Sequence, residues 1–230
     1  MTTLNTQIRS LIQSFRDNLP DELNTLLEQG AGEISALDIV ERALKVGDKV
    51  TNFDLPKYGG GNGTLTDYLA KGPLVITFYR GVWCPYCNLQ LKEYNERLAE
   101  ITDRGATLVA VTPEKPGALE LLREGGASDQ LLEGAVTGVK FDVLHDAENS
   151  VAEQFGLMFE LPESHRIALA QFGVRVEELT GDGGFTFADP ATYIVGRDGV
   201  IAYAFVPNNY RKRAEVDAIT AALDALSVES

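Results

Sequence analysis

Two cysteines, the only two in the 230-residue chain, lie three positions apart where a strand pattern gives way to a helix pattern. The apolar, β-rich run 74–79 leads into a short turn, and a long helical pattern begins at Pro85. Proline is favoured at the first helical position, because the backbone N–H that it lacks has no partner there. The sequence therefore predicts Cys84 as the N-cap and Cys87 as the third helical residue, with both sulfurs at the positive end of the helix dipole.

This placement favours thiol redox chemistry. A free cysteine has a pKa of about 8.5, whereas helix N-termini and Cys-x-x-Cys motifs can lower it to roughly 3.5–7.5. Residues three apart share one helix face, so the two sulfurs can close a disulfide after a small adjustment. We therefore expect Cys84 and Cys87 to cycle between dithiol and disulfide.

Three other uses of the cysteine pair fit the sequence less well. Proline and aromatic residues around a strand-to-helix turn do not suggest inert core cysteines. A zinc site would need His145 and His165, whose spacing matches neither the Cys₂His₂ nor the Cys₄ pattern. A structural disulfide that closes so short a loop would stabilise the fold little. We expect neither a metal ion nor an organic cofactor.

Composition excludes several classes of function. The formal net charge of −14 disfavours nucleic acid and anionic membrane surfaces as partners. No run approaches the roughly 18 apolar residues of a membrane span. The N-terminus lacks a charged segment followed by an apolar one, so no secretory signal is predicted. Together with the small number of cysteines, these features predict a cytoplasmic protein.

Residues 1–46 are predicted to form an N-terminal helical extension. Apolar residues recur at helical spacing over 8–15 and 23–27, and a third helical pattern follows the glycines of 30–32. Amphipathic helices must bury their apolar face against another surface. We expect this extension either to pack on its own domain or to form a homodimer contact, and the pattern does not distinguish the two.

Residues 47–230 alternate strand and helix patterns, which predicts one α/β redox domain with parallel strands and right-handed crossovers. Segment 156–189 breaks the alternation and is predicted to be an insertion with some helix. Within it, His165 and Arg166 are expected at the surface. His145, at the end of a predicted strand, is expected to be a structural histidine.

The end of the chain carries the pattern of a β-hairpin and a closing helix. Two β runs flank Asp198-Gly199, and an amphipathic pattern follows over 214–226. Pro190 directly precedes the first run, where a proline lacks a ladder partner and can adopt a cis peptide bond. The glycine-rich segment 125–138 shows only weak patterning.

The order of these elements resembles the thioredoxin fold, with a central mixed sheet flanked by helices. Specific strings resemble the peroxiredoxin (AhpC/TSA) superfamily, in particular its peroxiredoxin-like members with a Trp-Cys-Pro-Tyr-Cys motif. The likeness covers about residues 46–226 and is weak over 156–189. The strings are Val46-Gly-Asp with Phe53-Asp-Leu-Pro56, Phe78-Tyr-Arg-Gly-Val-Trp-Cys-Pro-Tyr-Cys87, Val143-Leu-His-Asp146 with Val151-Ala and Phe155-Gly156, and Arg197-Asp-Gly-Val200.

The site residues of the peroxiredoxin family match this sequence only in part. In peroxiredoxins a threonine or serine stands three residues before the cysteine that attacks peroxide, which places the peroxidatic position on Cys87 and the hydroxyl position on Cys84. A family proline falls on Arg80, and the family's thiolate-stabilising arginine falls on Pro190. In thioredoxins, by contrast, the first cysteine attacks, the second resolves and a cis-proline faces them. Cys84, Cys87 and Pro190 match that pattern.

The resemblance implies a thiol-dependent peroxidase. One thiolate would become a sulfenic acid, the other cysteine would resolve it as a disulfide, and a thioredoxin- or glutathione-type reductant would restore the dithiol. Cys84 and Cys87 are the expected catalytic residues, and Pro190, Trp83 and Arg80 the expected substrate-binding residues. Arg80 could supply the missing positive charge. Without the family's threonine and arginine, a slower reaction with peroxide than in typical peroxiredoxins is predicted.

Two other functions stay open from the sequence. In a thioredoxin-like reductase, Cys84 would attack a disulfide in a partner protein or small thiol, and Cys87 would release it. In a redox-sensing adaptor, the cysteine pair would be oxidised once, and the N-terminal helices would bind a partner.

Overall fold

The computed structural model describes residues 2–228, in which helices and strands alternate along most of the chain. The helices are α1 (Leu4–Asn18), α2 (Asp21–Ser35), α3 (Ile39–Arg42), α4 (Leu65–Leu69), α5 (Pro85–Glu96), α6 (Leu98–Thr102), α7 (Ala118–Glu124), α8 (Asp129–Gly134), α9 (Ser150–Gln154), α10 (Glu163–Gln171), α11 (Val176–Leu179) and α12 (Val216–Val228). The strands are β1 (Asp54–Pro56), β2 (Asn62–Thr64), β3 (Leu74–Phe78), β4 (Thr107–Thr112), β5 (Asp142–His145), β6 (Met158–Glu160), β7 (Thr186–Ala188), β8 (Thr192–Val195) and β9 (Ile201–Phe205).

A five-stranded mixed sheet in the order β5-β4-β3-β8-β9 forms the centre of the fold. The strands β3, β4 and β5 pair in parallel, whereas β8 pairs antiparallel with both β3 and β9. Every residue of β3 is buried, as expected for a central strand covered on both faces. The predicted mixed sheet flanked by helices is therefore confirmed, including the hairpin of β8 and β9.

The N-terminal helices pack on the body of the same chain. Helix α1 contacts α5, and α2 contacts α10. Leu4 and Ile8 of α1 belong to the main hydrophobic core. The carboxylate of Glu215 accepts the backbone N–H groups of Leu4 and Asn5 at 2.9 Å each, which satisfies two donors at the start of α1.

Helix α2 differs from the prediction at its glycines. The sequence suggests an interruption at 30–32, but α2 continues through these residues to Ser35. The reason lies at Gly30, where a Cβ atom would stand 2.7 Å from the His165 ring and 2.8 Å from the Ser164 Oγ. Gly30 thus allows α2 and α10 to approach closely instead of ending the helix.

Segment 156–189 contains its own two-stranded sheet. The strands β6 and β7 pair antiparallel, and α10 and α11 lie between them in sequence. The surface prediction for His165 is wrong, because this residue is 3% exposed and packs under Gly30. Arg166 is only half-buried, with its guanidinium over Phe185 and bonded to Glu160.

Two further elements depart from the sequence patterns. The long helical pattern that begins at Pro85 is divided in the structure, because α5 ends at Glu96 and a short α6 follows. The weakly patterned segment 125–138 contains α8.

None of the helices within residues 2–228 combines the length and apolar character that crossing a bilayer requires.

Candidate active site

Cys84 and Cys87 lie at the N-terminus of α5, as the sequence predicts. Cys84 is the N-cap, Pro85 is the first helical residue and Cys87 the third. Both cysteines are free thiols, and both are fully buried, with 0% exposure. The helix begins directly beyond the carboxyl end of β3, so the central strand sets the position of both sulfurs.

Two arginines surround the sulfurs. The Arg213 Nη2 donates to the Cys87 Sγ at 3.1 Å and lies 3.9 Å from the Cys84 Sγ. The Arg80 Nη2 donates to the Cys84 Sγ at 3.6 Å. Both side chains are buried, Arg213 with 1% exposure and Arg80 with 4%. Hydrogen bonds to charged groups are the stronger ones, so this arrangement favours a thiolate.

Arg213 is held in place from several sides. Its Nη1 donates to the backbone carbonyls of Tyr210 and Lys212. The Asn5 side chain in α1 accepts the Arg213 backbone N–H at 3.0 Å and donates to the Arg213 carbonyl at 2.8 Å. The Tyr94 hydroxyl of α5 donates to the next carbonyl, that of Ala214, at 2.8 Å. The guanidinium therefore has little freedom to leave the sulfurs.

Arg213 is the main site residue that the sequence reasoning missed. It lies 126 positions after Cys87, in a segment between β9 and α12 that carries no periodic pattern. The sequence feature that could have indicated Arg213 is the basic run 211–213, in a chain with a net charge of −14. The positive charge that the sequence comparison found missing is thus present and comes from Arg213 and Arg80.

The two thiols have opposite pKa shifts. Burial alone would raise the pKa of Cys84, but the hydrogen bond from the Cys87 thiol and the charges of Arg80 and Arg213 outweigh it and bring this pKa well below its usual value. Burial, the hydrogen bond to Cys84 and the negative charge on that sulfur raise the pKa of Cys87 well above its usual value. Because the two thiols interact directly, they titrate as a pair.

Arg80 stacks between two aromatic rings. Its guanidinium carbon lies 4.1 Å from the Tyr210 ring centroid and 5.0 Å from the Trp83 ring centroid. Trp83 is itself buried and packs edge-on against Phe187 at 5.5 Å. Such cation–π contacts are worth more when desolvated, and here they orient Arg80 toward Cys84. The structure thus brings Arg80 to the Cys84 sulfur and places Trp83 against the Arg80 guanidinium.

Pro190 lies beside this end of the sheet but not in the predicted conformation. It is buried just before β8, where the carbonyl of Ala191 accepts the N–H of Phe78 at 2.8 Å. No peptide bond within residues 2–228 is cis, so the predicted cis bond before Pro190 is wrong. The trans form is intrinsically favoured by about 0.5–1 kcal/mol.

A buried carboxyl group fixes the turn before the cysteines. Both Glu114 carboxyl oxygens accept the Val82 N–H, at 3.0 and 2.9 Å, and burial raises the pKa of Glu114 to about 8. Gly81 has a φ of 144°, and a Cβ there would stand 2.4 Å from Glu114 Oε1 and 2.6 Å from Trp83 Nε1. Only glycine therefore fits this close approach, and sequence reasoning did not identify Glu114.

Asp189 and His145 are two further titratable residues. Burial raises the pKa of Asp189 to about 7, although the charges of Arg80 and Arg213 oppose the shift. His145 ends β5, as expected, and packs edge-on against Tyr58 at 6.2 Å. Within residues 2–228, no three His, Cys, Asp or Glu residues gather in a way that could hold a metal ion.

Comparisons with known proteins agree with this geometry. The model of the AhpC/TSA family matches residues 46–204. A putative peroxiredoxin of Mycobacterium tuberculosis is 26% identical over 149 residues, covering 57% of this chain and 87% of that protein. Peroxiredoxin Bcp of Escherichia coli K12 is 30% identical over 117 residues, covering 51% of this chain and 67% of that protein.

Solved structures share the fold. Peroxidoxin BcpB from Mycobacterium tuberculosis superposes with a TM-score of 0.56 at 20% identity, covering 79% of this chain and 97% of that one. The reduced 2-Cys peroxiredoxin of Plasmodium vivax gives a TM-score of 0.59 at 16% identity, covering 81% and 83%. The family match spans well over half of the chain and includes both cysteines. The chain therefore belongs to the AhpC/TSA family, as a peroxiredoxin-like thiol oxidoreductase.

Proposed function

We propose that the chain is a thiol-dependent peroxidase that reduces hydroperoxides through a dithiol–disulfide cycle of Cys84 and Cys87. One observation carries the proposal: Arg213 and Arg80 place two positive charges on a buried sulfur pair at a helix N-terminus. The same charges that favour the thiolate can stabilise the negative oxygen that forms when a peroxide bond breaks, and donors fixed in a buried site are effective for this purpose.

In the first step, the Cys84 thiolate attacks the terminal oxygen of the hydroperoxide. The S–O bond forms as the O–O bond breaks, and the released alkoxide or hydroxide takes up a proton and leaves as an alcohol or water. Cys84 is then a sulfenic acid. Cys84 is assigned the attack because its pKa is lowered, whereas that of Cys87 is raised.

In the second step, Cys87 attacks the sulfur of the sulfenic acid. The S–S bond forms as the S–O bond breaks, and the hydroxide leaves as water with the proton that the Cys87 thiol gives up. An external dithiol or two monothiols, of the thioredoxin or glutathione type, then reduce the disulfide by thiol–disulfide exchange. The spacing of three residues on one helix supports a local disulfide.

Reduction of protein disulfides is the less favoured function. Both functions require an external thiol or disulfide to reach the buried cysteine pair, so burial does not distinguish them. The peptide bond before Pro190 is trans, however, whereas the thioredoxin pattern has a cis-proline facing the cysteines.

A stopped-flow experiment tests the proposal. The reduced wild type, Cys84→Ser and Cys87→Ser are mixed with hydrogen peroxide, while the fluorescence of Trp83 is followed beside the site. We expect the wild type to turn over with a thiol reductant. Cys87→Ser should react once and stall as a sulfenic acid on Cys84, seen by mass spectrometry as one added oxygen. Cys84→Ser should react much more slowly.

Each other outcome contradicts a defined part of the proposal. Fast oxidation of Cys84→Ser on Cys87 would reverse the roles of the two cysteines. Failure of the wild type to react with peroxide, together with rapid reduction of insulin, would make the protein a disulfide reductase. A single oxidation without turnover in the presence of reductants would indicate a sensor.

A further inference from the structure

Arg80 and Arg213 are buried cations that contact the cysteine sulfurs. The guanidinium of Arg80 contacts Cys84, and that of Arg213 contacts Cys87 and lies 3.9 Å from the Cys84 Sγ. Within residues 2–228, neither guanidinium forms an ion pair with a carboxylate. A buried charge is costly unless an opposite charge accompanies it. The two arginines therefore depend on a thiolate for charge balance, and a disulfide would remove that thiolate.

Asp189 lies on the segment that runs beside Arg80. Strands β3 and β8 pair antiparallel, and beyond their last pair the Phe78 N–H still donates to the Ala191 carbonyl at 2.8 Å. Continued in the same register, the two segments bring Asp189 opposite Arg80. On its other side, the Asp189 N–H donates to the Leu157 carbonyl at 2.8 Å. Asp189 is 2% exposed, so its carboxyl group is held inside the protein near the end of β3.

An unused acceptor and two unused donors belong to this group of residues. The Asp189 Oδ1, the Arg80 Nε and the Arg213 Nε are each buried, and none has a hydrogen-bond partner among residues 2–228. Buried polar atoms in proteins are normally paired, because an unpaired one costs free energy. Burial raises the pKa of Asp189 to about 7 and the charges of both arginines oppose this shift, so the carboxyl lies within their electrostatic reach.

Three ionisable side chains face the Asp189 carboxyl. Arg80 faces it from the end of β3, Arg213 from the segment before α12, and Tyr193 from β8. Burial and the charge of Asp189 raise the pKa of Tyr193 well above its usual value, so this phenol stays neutral near pH 7. The ionisation of Asp189 therefore depends mainly on whether the two arginines already have a negative partner.

We propose that Asp189 replaces the Cys84 thiolate as the counter-charge of Arg80 and Arg213 when the two cysteines form a disulfide. The inference rests on the proposed dithiol–disulfide cycle and adds a proton to it. While the cysteines are reduced, the thiolate balances one arginine charge and Asp189 is a neutral acid. Once the disulfide has formed, Asp189 is a carboxylate. It acts through the arginines and is therefore a positioning residue.

The proton that Asp189 gives up completes the proton balance of the peroxide reaction. The S–S bond forms, the O–O bond breaks, and two electrons pass from the sulfurs to the peroxide oxygens. The products, an alcohol and water, carry three protons on their oxygens. The hydroperoxide brings one of these and the Cys87 thiol a second. Asp189 supplies the third, which the released alkoxide takes up, so oxidation of the site needs no net proton from solvent.

Proton counting during one round of oxidation tests this balance. The reduced protein is mixed with one equivalent of hydrogen peroxide in weakly buffered solution at about pH 6, where Asp189 is mainly neutral, and a pH-sensitive dye reports proton uptake. We expect the wild type to take up close to no proton per disulfide. Asp189→Asn keeps the shape of the side chain but cannot release a proton, so this variant should take up one. Equal uptake by the two proteins would overturn the inference.

Asp48→Asn is the matched control. Asp48 also faces Tyr193, but it is exposed and its carboxylate accepts the Lys45 N–H at 2.7 Å. This variant should take up as little as the wild type. An uptake of one proton by Asp48→Asn would show that the effect does not depend on Asp189, and would overturn the inference.

An infrared measurement on the wild type tests the same assignment without a substitution. Oxidation should remove the carbonyl stretching band of one protonated carboxylic acid and add the bands of a carboxylate. Labelling the aspartates with carbon-13 should shift these bands, whereas bands from Glu114, the other buried acid near Cys84, would stay in place. A carboxylic acid band that persists on oxidation, or that does not shift with the label, would overturn the inference.

A second oxidant separates this inference from the proposed function. 2-Hydroxyethyl disulfide also converts the two cysteines into a disulfide, and its two thiol products take one proton from Cys87 and one from Asp189. If hydrogen peroxide reacts but the wild type and Asp189→Asn take up equal numbers of protons, the assignment of Asp189 is wrong and the peroxidase remains. If only the disulfide oxidant reacts and gives the expected difference, the peroxidase function fails and the role of Asp189 stands. If neither oxidant forms the disulfide, both fail.

Discussion

Fixed positive charges beside the two cysteines can offset the cost of burying a thiolate. Removing an ion from water costs several kcal/mol even after relaxation, so a buried thiolate needs partners with good geometry. Cys84 and Cys87 have Arg80 and Arg213 within hydrogen-bond range. The sequence identified three of these four residues, because they share one short segment. The sequence did not identify Arg213, because only folding brings it near the cysteines.

Replacement of Arg213 tests whether its charge lowers the pKa of Cys84. In Arg213→Met, the loss of one positive charge should raise the pKa of Cys84, so the acid limb of the rate–pH profile should move to higher pH. Hydrogen bonds to charged groups contribute about 1.5–3 kcal/mol, so the peroxide reaction at pH 7 should slow by about ten- to a hundredfold. The measurement is the peroxide rate constant against pH, alongside the ultraviolet absorbance of the thiolate.

Arg213→Lys is the matched control, because it retains the charge but loses the planar fork that reaches both sulfurs. Its acid limb should stay closer to that of the wild type than the limb of Arg213→Met. Identical pH profiles for the wild type and Arg213→Met would show that Arg213 does not stabilise the thiolate.

At the scale of elements, a single glycine permits the close packing of two helices. The approach of α2 to α10 depends on Gly30, and it buries His165 against the carbonyl of Leu27, with Nε2 at 3.2 Å. Local patterning predicted most strands and the helix that carries the cysteines, because those elements have strong apolar periodicity. It misplaced α2 and His165, since a glycine that permits close packing has the same local signature as one that ends a helix.

Two glycines in α2 give opposite expectations on substitution by alanine. In Gly30→Ala, the new Cβ would lie 2.7 Å from the His165 ring, so overpacking should lower the free energy of unfolding by about 1–3 kcal/mol. In Gly32→Ala, the Cβ meets nothing within 4 Å, and the better helix propensity of alanine should raise stability by about 0.5–1 kcal/mol. Urea unfolding of both variants measures the difference. Equal effects would mean that the two helices do not pack as described.

At the scale of the whole molecule, the two ends of the chain meet beside the active site. Asn5 in α1 bonds both the N–H and the carbonyl of Arg213, and it also donates to Glu215. These contacts join residues more than 200 positions apart, so no local pattern could have indicated them. The first N-terminal helix therefore supports the arginine that contacts the sulfurs.

Asn5→Ala should lower the stability of the protein and leave Arg213 less firmly held. Each lost hydrogen bond is worth about 0.5–1.5 kcal/mol, so stability should fall by about 1–3 kcal/mol. Because Arg213 becomes less well held, the acid limb of the peroxide rate should also shift toward higher pH. Asn18→Ala is the control, since the Asn18 side chain donates to Ser14 within the same helix. A loss of stability without any shift of the acid limb would restrict Asn5 to a structural role.

The distance along the chain between Cys87 and Arg213 has a consequence during protein synthesis. The arginine that contacts the second cysteine is added to the growing chain 126 positions after it. A growing chain thus contains both thiols and Arg80 well before it contains the second positive charge, that of Arg213. Unactivated thiols are poor nucleophiles near neutral pH. We therefore expect the thiols to gain their full reactivity only after the segment that carries Arg213 has been made and has docked.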